Sequence, residues 1–404
     1  LPEADVLAGP AATLGARYSF GEIGSTNQLI YADNLRALRA LVDKNIEKAR
    51  LIYIDPPYAT GQRFESAHTG HAYDDHLQGA SYVEELRARL ILLRELVADD
   101  GSIYVHLDSK MIFPAKLLMD EVFGERRFRS MITRVKCNPK NFTSRQYGDE
   151  CDYLLFYTMS ANSVWNQPVE PWEGEHAQNE YAYVEPESGR RYKKVPCHAP
   201  GERHGATGTA WRGKLPPPGK HWVNSPADLD ALDREGRIYW SKNGNPRRKL
   251  YLDEALGRRL PNFWLGFRDT QNQNARITGY PTEKNREMLR LIVEASSNEG
   301  DVVLDAYAGS GTTLEAAAAT GRRWIGIDDS LPAIETALDR LRFGSRSMGS
   351  YARSSYLVRS STGAPTGFNG SLVVDEDDRE KSKLADDLVA TLDGTRRMKA
   401  VKAR

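Results

Sequence analysis

Two short stretches of this 404-residue chain concentrate side chains able to do chemistry. The first is LIYIDPPYATG, residues 51–61, in which four apolar residues run into Asp55, Pro56, Pro57 and Tyr58. A core strand gains nothing from a carboxylate at its tip, and two prolines remove backbone donors and fix φ there. A rigid acidic corner of that kind is built for a partner. The second is DVVLDAYAGSGTT, residues 301–313, a strand ending on Asp305, a loop with Tyr307, Gly309, Ser310 and Gly311, and a helix start marked by Thr312. Glycine lets a ligand approach the backbone, and the first turn of a helix presents unpaired N–H groups.

The ligand of that loop is a nucleoside-bearing cofactor without a polyphosphate. The spacing is neither that of a P-loop, which needs Gly-Lys-Ser/Thr, nor a G-x-G-x-x-G fingerprint. Asp328, at the end of RWIGID and 23 residues after Asp305, stands where an acid at the next strand tip accepts hydrogen bonds from ribose hydroxyls. A metal is not expected. HTGHAYDDH carries His68, His71 and His76 with Asp74 and Asp75, yet it has neither helix-type His spacing nor a CxxC partner. A loop that closes over a bound substrate is the better reading of it.

These stretches need a scaffold, and the surrounding pattern supplies one. NLRALRALV places Leu35, Leu38 and Leu41 on one helical face, and SYVEELRARLILLRELVADDG predicts a helix capped by Ser81 and stopped by Gly101. SIYVHLD, RSMITRVK, CDYLLFYTM, DVVLDAY and RWIGID read as strands, KMIFPAKLLMDEVFG as a broken helix, and TEKNREMLRLIVEASS, TTLEAAAATG and PAIETALDRLR as further helices. Strands alternating with helices predict an α/β fold with a doubly wound, mostly parallel sheet covered on both faces. The pattern dissolves over residues 161–275, an irregular β-rich insert that splits the α/β domain into 1–160 and 276–343. Residues 344–404, rich in Ser, Gly and Arg before the acidic run DEDDREKSK, read as a mobile or loosely packed tail, with Leu384, Leu388 and Leu392 lining one weak helix.

Composition narrows the class. Lys plus Arg and Asp plus Glu both number 55, so global charge does not mark a nucleic-acid binder. Cys137, Cys151 and Cys197 show no metal spacing, and their odd number suggests reduced thiols in a cytoplasm. No apolar run reaches about eighteen residues and no basic segment precedes an apolar one, so a soluble protein without a membrane partner is expected. Charge is nevertheless segregated: between Tyr181 and Arg276 there are 18 Lys plus Arg against 10 Asp plus Glu. Trp165, Trp172, Trp211, Trp222, Trp240 and Trp264 all lie in the insert, 161–275, and Asn243-Gly244 between RIYW and RRKLYL suggests a hairpin. Arg247, Arg248 and Lys249 are the phosphate-binding candidates, while the tryptophans read first as the small core of a β-rich unit.

Together, DPPY at 55–58 and DAYAGSGTT at 305–313 resemble the amino-methylating DNA methyltransferases that use S-adenosylmethionine, in the group whose catalytic tetrapeptide precedes the cofactor loop. YADNLRAL, GYPTEKNREML and LPPPGKHW with GRIYWSKNGNPRRKLYLDE extend the likeness over about Tyr31 to Arg342, and the order is similar to that of type III modification subunits. The resemblance implies a Rossmann-like methyltransferase fold in circularly permuted motif order, with the insert as target-recognition domain. It also implies S-adenosylmethionine as cofactor, double-stranded DNA as partner, pairing as a homodimer and work beside a cognate restriction nuclease. Asp33, Asn34, Thr282 and Lys284 are implied contacts to the methionine end of the cofactor. The chain departs from the family where Asp305-Ala306-Tyr307 replaces Asp-Pro-Phe, where Asp328 replaces a frequent Glu, and where Asn285 replaces a proline after Lys284, which predicts a less rigid turn.

In that family setting the opening corner acquires a task. An exocyclic base amine is a poor nucleophile because its lone pair is delocalised into the ring. Acceptors on the Asp55 carboxylate and Pro56 carbonyl draw its N–H groups toward tetrahedral geometry and stabilise the charge developing on nitrogen. Pro57 helps hold both acceptors still, and Tyr58 offers a face on which a base swung out of the duplex stacks. An Asp in first place resembles the adenine-N6 subset. Cytosine N4, an RNA base, and a non-catalytic DNA-binding protein that keeps the fold are the competing readings.

Overall fold

The computed structural model describes residues 1–20, 25–57, 63–66, 70–74, 79–137, 145, 147–269, 284–343 and 369–402. These divide into two compact units, Leu1–Pro168 with Leu260–Arg404, and Val169–Arg259. The first carries a ten-stranded sheet. In chain order its strands are β1 (Leu14–Phe20), β2 (Gln28–Tyr31), β3 (Ala49–Ile54), β4 (Val97–Leu107), β5 (Phe128–Val135), β6 (Cys151–Thr158), β7 (Phe263–Trp264), β8 (Val302–Asp305), β9 (Arg323–Asp328) and β10 (Gly370–Asp375). Across the sheet they run β1-β10-β2-β9-β8-β3-β4-β6-β5-β7. The stretch from β10 to β4 is parallel, while β1, and β6 against both neighbours, are antiparallel.

Near-continuous apolar strands fold this way because both faces are covered. Alternate residues of β3 go to opposite cores: Ile52 and Ile54 join one apolar cluster, Leu51 and Tyr53 the other. Helices α1 (Asn34–Asp43), α2 (Ala80–Leu96) and α3 (Ile112–Phe123) supply Leu38, Leu41, Leu90, Leu93 and Met119 to the first cluster. Helices α4 (Arg286–Ser296), α5 (Thr312–Ala319), α6 (Leu331–Phe343) and α7 (Arg379–Lys402) supply Leu289, Ile292, Leu314, Leu338 and Leu392 to the second. Leu384 and Leu388 pack against it on α7, as their spacing predicted.

Several expectations need correction. The tail is not loose throughout: β10 lies inside the sheet between β1 and β2, with Leu372 and Val374 fully buried. Helix α2 starts after Gly79, without Ser81 as its cap, and β4 begins directly at Val97, so Gly101 lies within a strand. Helix α3 is unbroken because Pro114 falls in its first turn, where a missing N–H breaks no helical bond. The insert is shorter than 161–275. Residues 161–168 and 260–269 belong to the catalytic unit, where Trp264 is buried and Trp165 stacks on Phe156 with ring centroids 5.5 Å apart.

The second unit centres on a four-stranded antiparallel sheet, in the order Tyr183–Val184, Arg191–Pro196, Pro246–Tyr251, Ile238–Trp240. The predicted hairpin is present, with Trp240 opposite Pro246 and Gly244 at φ 68° in its turn. Ser225 caps the helix Pro226–Arg234 in a capping box with Asp228. Trp211, Trp222, Cys197, Leu229 and Ile238 form its small core, so Trp211 and Trp222 are structural as read. No helix among the described residues is long and apolar enough to cross a membrane.

Candidate active site

Both chemical stretches end at the same edge of the sheet. β3 and β8 are parallel neighbours, with Leu51 opposite Val303 and Ile52 opposite Leu304. Carrying that register forward sets Tyr53 beside Asp305 and Asp55 beside Tyr307. β9 flanks β8 on the other side, pairing Asp305 with Gly326, so its terminal Asp328 completes a row of three acids beyond the strand ends. Crevices at the carboxyl ends of parallel strands are where open α/β sheets bind ligands.

At the corner itself, Pro56 is buried and Pro57 half-buried. The Lys284 ammonium lies 2.9 Å from Asp55 Oδ2, with the two side chains 14% and 17% exposed. Lys284 was expected at the methionine end of the cofactor; its ammonium is paired here with the Asp55 carboxylate, a partner the sequence did not name. Its neighbour Asn285 answers the loss of the family proline. At φ −61° it has the angle proline would impose. Its Oδ1 caps α4 by accepting the Met288 N–H at 3.1 Å, and its Nδ2 donates to the Arg268 carbonyl at 2.9 Å. The turn is therefore tied down, contrary to the expectation. Tyr58 and Thr282, and His68, Asp75 and His76 of the His-rich loop, lie outside the described residues, as do the side chains of His71 and Asp74. No metal-holding cluster occurs among the described residues.

The cofactor loop is drawn onto its acids. Asp305 Oδ1 accepts the Tyr307 N–H at 3.0 Å. Asp328 Oδ2 accepts the Gly309 N–H at 2.8 Å and its Oδ1 the Ser330 N–H at 2.9 Å. Burial pushes the Asp305 carboxyl up to about 7, helped by the nearby charges of Asp55 and Asp328 and opposed by the Thr313 hydroxyl and Tyr307 N–H. Burial also pushes Asp328 up to about 6, against the backbone N–H groups of Ser330, Gly309 and Asp329. Gly311 requires glycine: φ is 74°, and an added Cβ would stand 2.9 Å from Ala337 Cβ on α6. Ser310 and Thr312 are buried with their hydroxyls 3.1 Å apart, and Arg340 donates to the Thr312 hydroxyl. Those two hydroxyls shape the loop from within.

Asp33 and Asn34 are near the loop, in roles the sequence did not assign. Asp33 caps α1 through the Arg36 N–H at 3.0 Å. Asn34 is buried, its Nδ2 donating to the Ala306 carbonyl at 3.0 Å, and its amide also bonds the Tyr307 hydroxyl. It holds the half-buried Tyr307 from behind. Sequence reasoning missed Arg89, whose Nε donates to Asn34 Oδ1 at 2.6 Å and whose Nη2 lies 3.7 Å from Asp33 Oδ2. It also missed Glu315, 3.7 Å from Arg340 and 3.2 Å from Arg286, beneath the loop. The only signal for either was a charged residue inside an apolar run.

Three carboxylates and a half-buried tyrosine make a site for hydroxyl donors and a cation, not for phosphates. That acceptor set fits a nucleoside carrying an amino-acid end: Asp328 can take ribose hydroxyls, Asp305 with Asp33 a positive group, and Tyr307 a flat or apolar face.

In the insert, the three basic candidates do not form one patch. Consecutive strand residues point to opposite faces, so Arg247 and Lys249 share a face with Lys194, Tyr192, Tyr239 and Tyr251, while Arg248 lies with Val195 and Ile238. Lys249 is already paired with Glu185 at 2.7 Å, and Arg247 is the exposed one of the three. The sequence missed Lys194, whose ammonium lies 3.5 Å from the ring centroids of both Tyr183 and Tyr239.

Comparison with known proteins adds independent findings. Residues 49–339 match the N6_N4_Mtase family model, described as DNA methylase. Type II methyltransferase M.EcaI of Enterobacter cloacae is 49% identical over 331 residues, covering 81% of this chain and 72% of that protein. The StyLTI Mod subunit of a type III restriction-modification enzyme of Salmonella typhimurium is 26% identical over 334 residues, covering 72% of this chain; the chain spans 50% of that subunit's length. The crystal structure of the M1.HpyAVI-SAM complex covers 78% of this chain at 17% identity and a TM-score of 0.42, a likeness too loose to build on.

Proposed function

The chain belongs to the N6/N4 family of DNA methylases, whose methyl donor is S-adenosylmethionine, and we propose that it methylates the N6 amine of adenine within a specific double-stranded DNA sequence. The observation that carries this reading is the junction of β3 and β8, which sets the Asp55 corner beside the loop that begins at Asp305. When bound, the cofactor supplies an electrophilic methyl carbon on a sulfonium. Everything else is the work of this chain's residues. Asp328 and Asp305 hold the cofactor's hydrogen-bond donors, and Tyr307, fixed by Asn34, packs against it. The Asp55 carboxylate and Pro56 carbonyl accept from the two amine N–H groups, aligning the nitrogen lone pair for direct in-line attack without a covalent enzyme intermediate. Tyr58 stacks the flipped base. The Asp first residue of the tetrapeptide supports adenine over cytosine.

The insert supports DNA binding by its positive surplus, and a cognate nuclease is proposed on the likeness to the restriction-modification subunit. Digestion of DNA methylated by the purified protein to nucleosides tests the central reading: N6-methyl-2′-deoxyadenosine is expected, whereas N4-methyl-2′-deoxycytidine as the sole product overturns the base assignment.

A further inference from the structure

A chain of buried polar groups runs beneath the catalytic corner and closes on itself. Tyr53 projects from the same face of β3 as Asp55, two residues before it. Its hydroxyl lies 2.7 Å from His106 Nδ1 on the neighbouring β4, and His106 Nε2 lies 3.0 Å from Asp152 Oδ2 on β6. Arg134 on β5 grips Asp152 with two nitrogens, Nε at 2.7 Å from Oδ1 and Nη2 on Oδ2. Its Nη1 donates to the Phe267 carbonyl at 3.1 Å and to Asp269 Oδ1 at 2.8 Å. Between those two, the Arg268 carbonyl accepts from Asn285, whose neighbour Lys284 reaches back to Asp55.

The cluster is out of proportion to any need of the core. His106 and Arg134 are 0% exposed and Asp152 2%. Removing such charges from water costs several kcal/mol each, and an apolar set of the same volume is often at least as stable. Burial acts to raise the Asp152 carboxyl, yet His106 and Arg134 hold it well below the usual range, so it stays an anion and the grip of Arg134 is charge-assisted. What the arrangement achieves is geometric. Phe267 to Asp269 lie on the chain soon after it re-enters the catalytic unit at Leu260, and Arg134 fastens that segment across three strands to the strand that ends in Asp55.

We propose that Tyr53, His106, Asp152 and Arg134 are positioning residues for methyl transfer, a closed polar frame that fixes Asp55 through β3 on one side and through Asp269, Asn285 and Lys284 on the other. The inference rests on the reading of Asp55 as the amine acceptor. A misplacement of about 1 Å in such a corner is enough to lower a rate by up to about a hundredfold without touching either ligand.

The test uses shape-preserving variants of the full chain, Tyr53→Phe and Asp269→Asn, with Asp152→Asn as the harsher cut. Single-turnover rate with saturating DNA and cofactor, cofactor Kd, KM for DNA, and thermal midpoint are measured on each. Expected is a kcat lowered between about fivefold and a hundredfold in Tyr53→Phe and Asp269→Asn, with cofactor Kd and KM for DNA within about twofold and the thermal midpoint close to that of the unmodified protein. The proposal is overturned if both variants turn over at the original kcat, if the loss lies in KM, or if kcat per folded molecule is unchanged. Asp55→Ala, run alongside, separates the two claims: an active Asp55→Ala removes the acceptor reading itself, whereas an inactive Asp55→Ala beside fully active Tyr53→Phe and Asp269→Asn removes only the frame.

Discussion

The two units of this chain are held together by different physics. In the catalytic unit, strands are buried on both faces between two apolar clusters, and several of the charges that enter the interior do so as partners of one another: His106 with Asp152 and Arg134, Glu315 with Arg340. In the insert, the apolar cluster has five buried residues, Ala177, Tyr181, Tyr192 and Tyr251 are buried outside it, and much of the remaining cohesion is aromatic and ionic. Arg190 lies 3.9 Å over the Tyr251 ring while paired with Asp253 and Glu254, and Lys194 sits between two tyrosines. Exposed pairs of this kind contribute about 0–1 kcal/mol each, so many insert side chains can change without emptying a core. The difference suits a division of labour in which one unit keeps a fixed geometry for chemistry and the other carries a variable recognition surface.

The largest effect that division predicts is at the acceptor. Asp55→Ala is expected to lower the transfer rate by at least about a hundredfold to a thousandfold, while binding of DNA and cofactor largely survives; a variant with unchanged activity breaks the catalytic side of the comparison. Lys284 sharpens it. Lys284→Met is expected to reduce kcat by about tenfold to a hundredfold because the carboxylate loses the ammonium that holds it, and Lys284→Arg to recover part of the rate. Cofactor Kd stays within about twofold. A cofactor Kd weakened in step with kcat would favour the family-derived assignment of Lys284 to the methionine end.

Much of this site is legible in the sequence because its marks are local. Asp55-Pro56-Pro57 after one strand, the two glycines after Asp305 and the acid ending the following strand at 328 are residue types at short, fixed distances within their own segments, and the structure brings these segments together at the carboxyl end of the sheet. What escaped is non-local. Arg89 stands among the leucines of α2 and Glu315 before a run of alanines, and nothing in either neighbourhood names the partner more than twenty residues away. Nor does local spacing show that Lys284 meets Asp55, because the pair joins segments 229 positions apart. β10 was hidden for a different reason: a six-residue strand inside a Ser- and Gly-rich region is outvoted by its surroundings, although Leu372, Val373 and Val374 are as apolar as any core strand. Asn285 shows that one physical requirement, a fixed φ before a helix, can be met by a cap where the expected proline is absent.

A smaller effect separates folding from ligand binding by pH. Asp305 and Asp328 have carboxyls raised in the folded protein to about 7 and about 6. A folded-state pKa above the unfolded value means that the fold holds protons the unfolded chain has released. Their contribution to stability is therefore complete below about pH 4 and is lost as pH rises through 6 and 7. A ligand that presents hydroxyls and a cation to these acids has the opposite dependence, because ionised carboxylates are the better acceptors. The thermal midpoint of the ligand-free protein should gain less from these groups at pH 8 than at pH 5.5, while cofactor affinity strengthens by up to about tenfold per pH unit for each proton released on binding. Asp328→Asn should bind less tightly and flatten part of that slope; an affinity independent of pH between 5.5 and 8 contradicts the assignment.

The smallest expected effect lies in the insert and tests whether its surface discriminates among lysines and arginines that look alike in sequence. Arg247 is exposed and shares a face with Lys194 and four tyrosines, whereas Lys249, on the same face, is already neutralised by Glu185 at 2.7 Å, beside the Tyr251 hydroxyl on that carboxylate at 2.8 Å. The hydrogen bonds from Lys249, Ser188 and Tyr251 bring the Glu185 carboxyl down to about 2, so it is an anion facing Lys249 at neutral pH. A phosphate contact by Lys249 would have to break that pair, while one by Arg247 breaks nothing comparable. Arg247→Ala should therefore weaken DNA binding a few-fold and lower the slope of log affinity against log salt by about 1. Lys249→Ala should leave that slope unchanged and reduce the thermal stability of the insert. Equal slopes for the two variants would mean that strand position and pairing do not decide which cations meet the phosphates, and the contrast between a fixed catalytic unit and a selectively charged recognition face would lose its footing there.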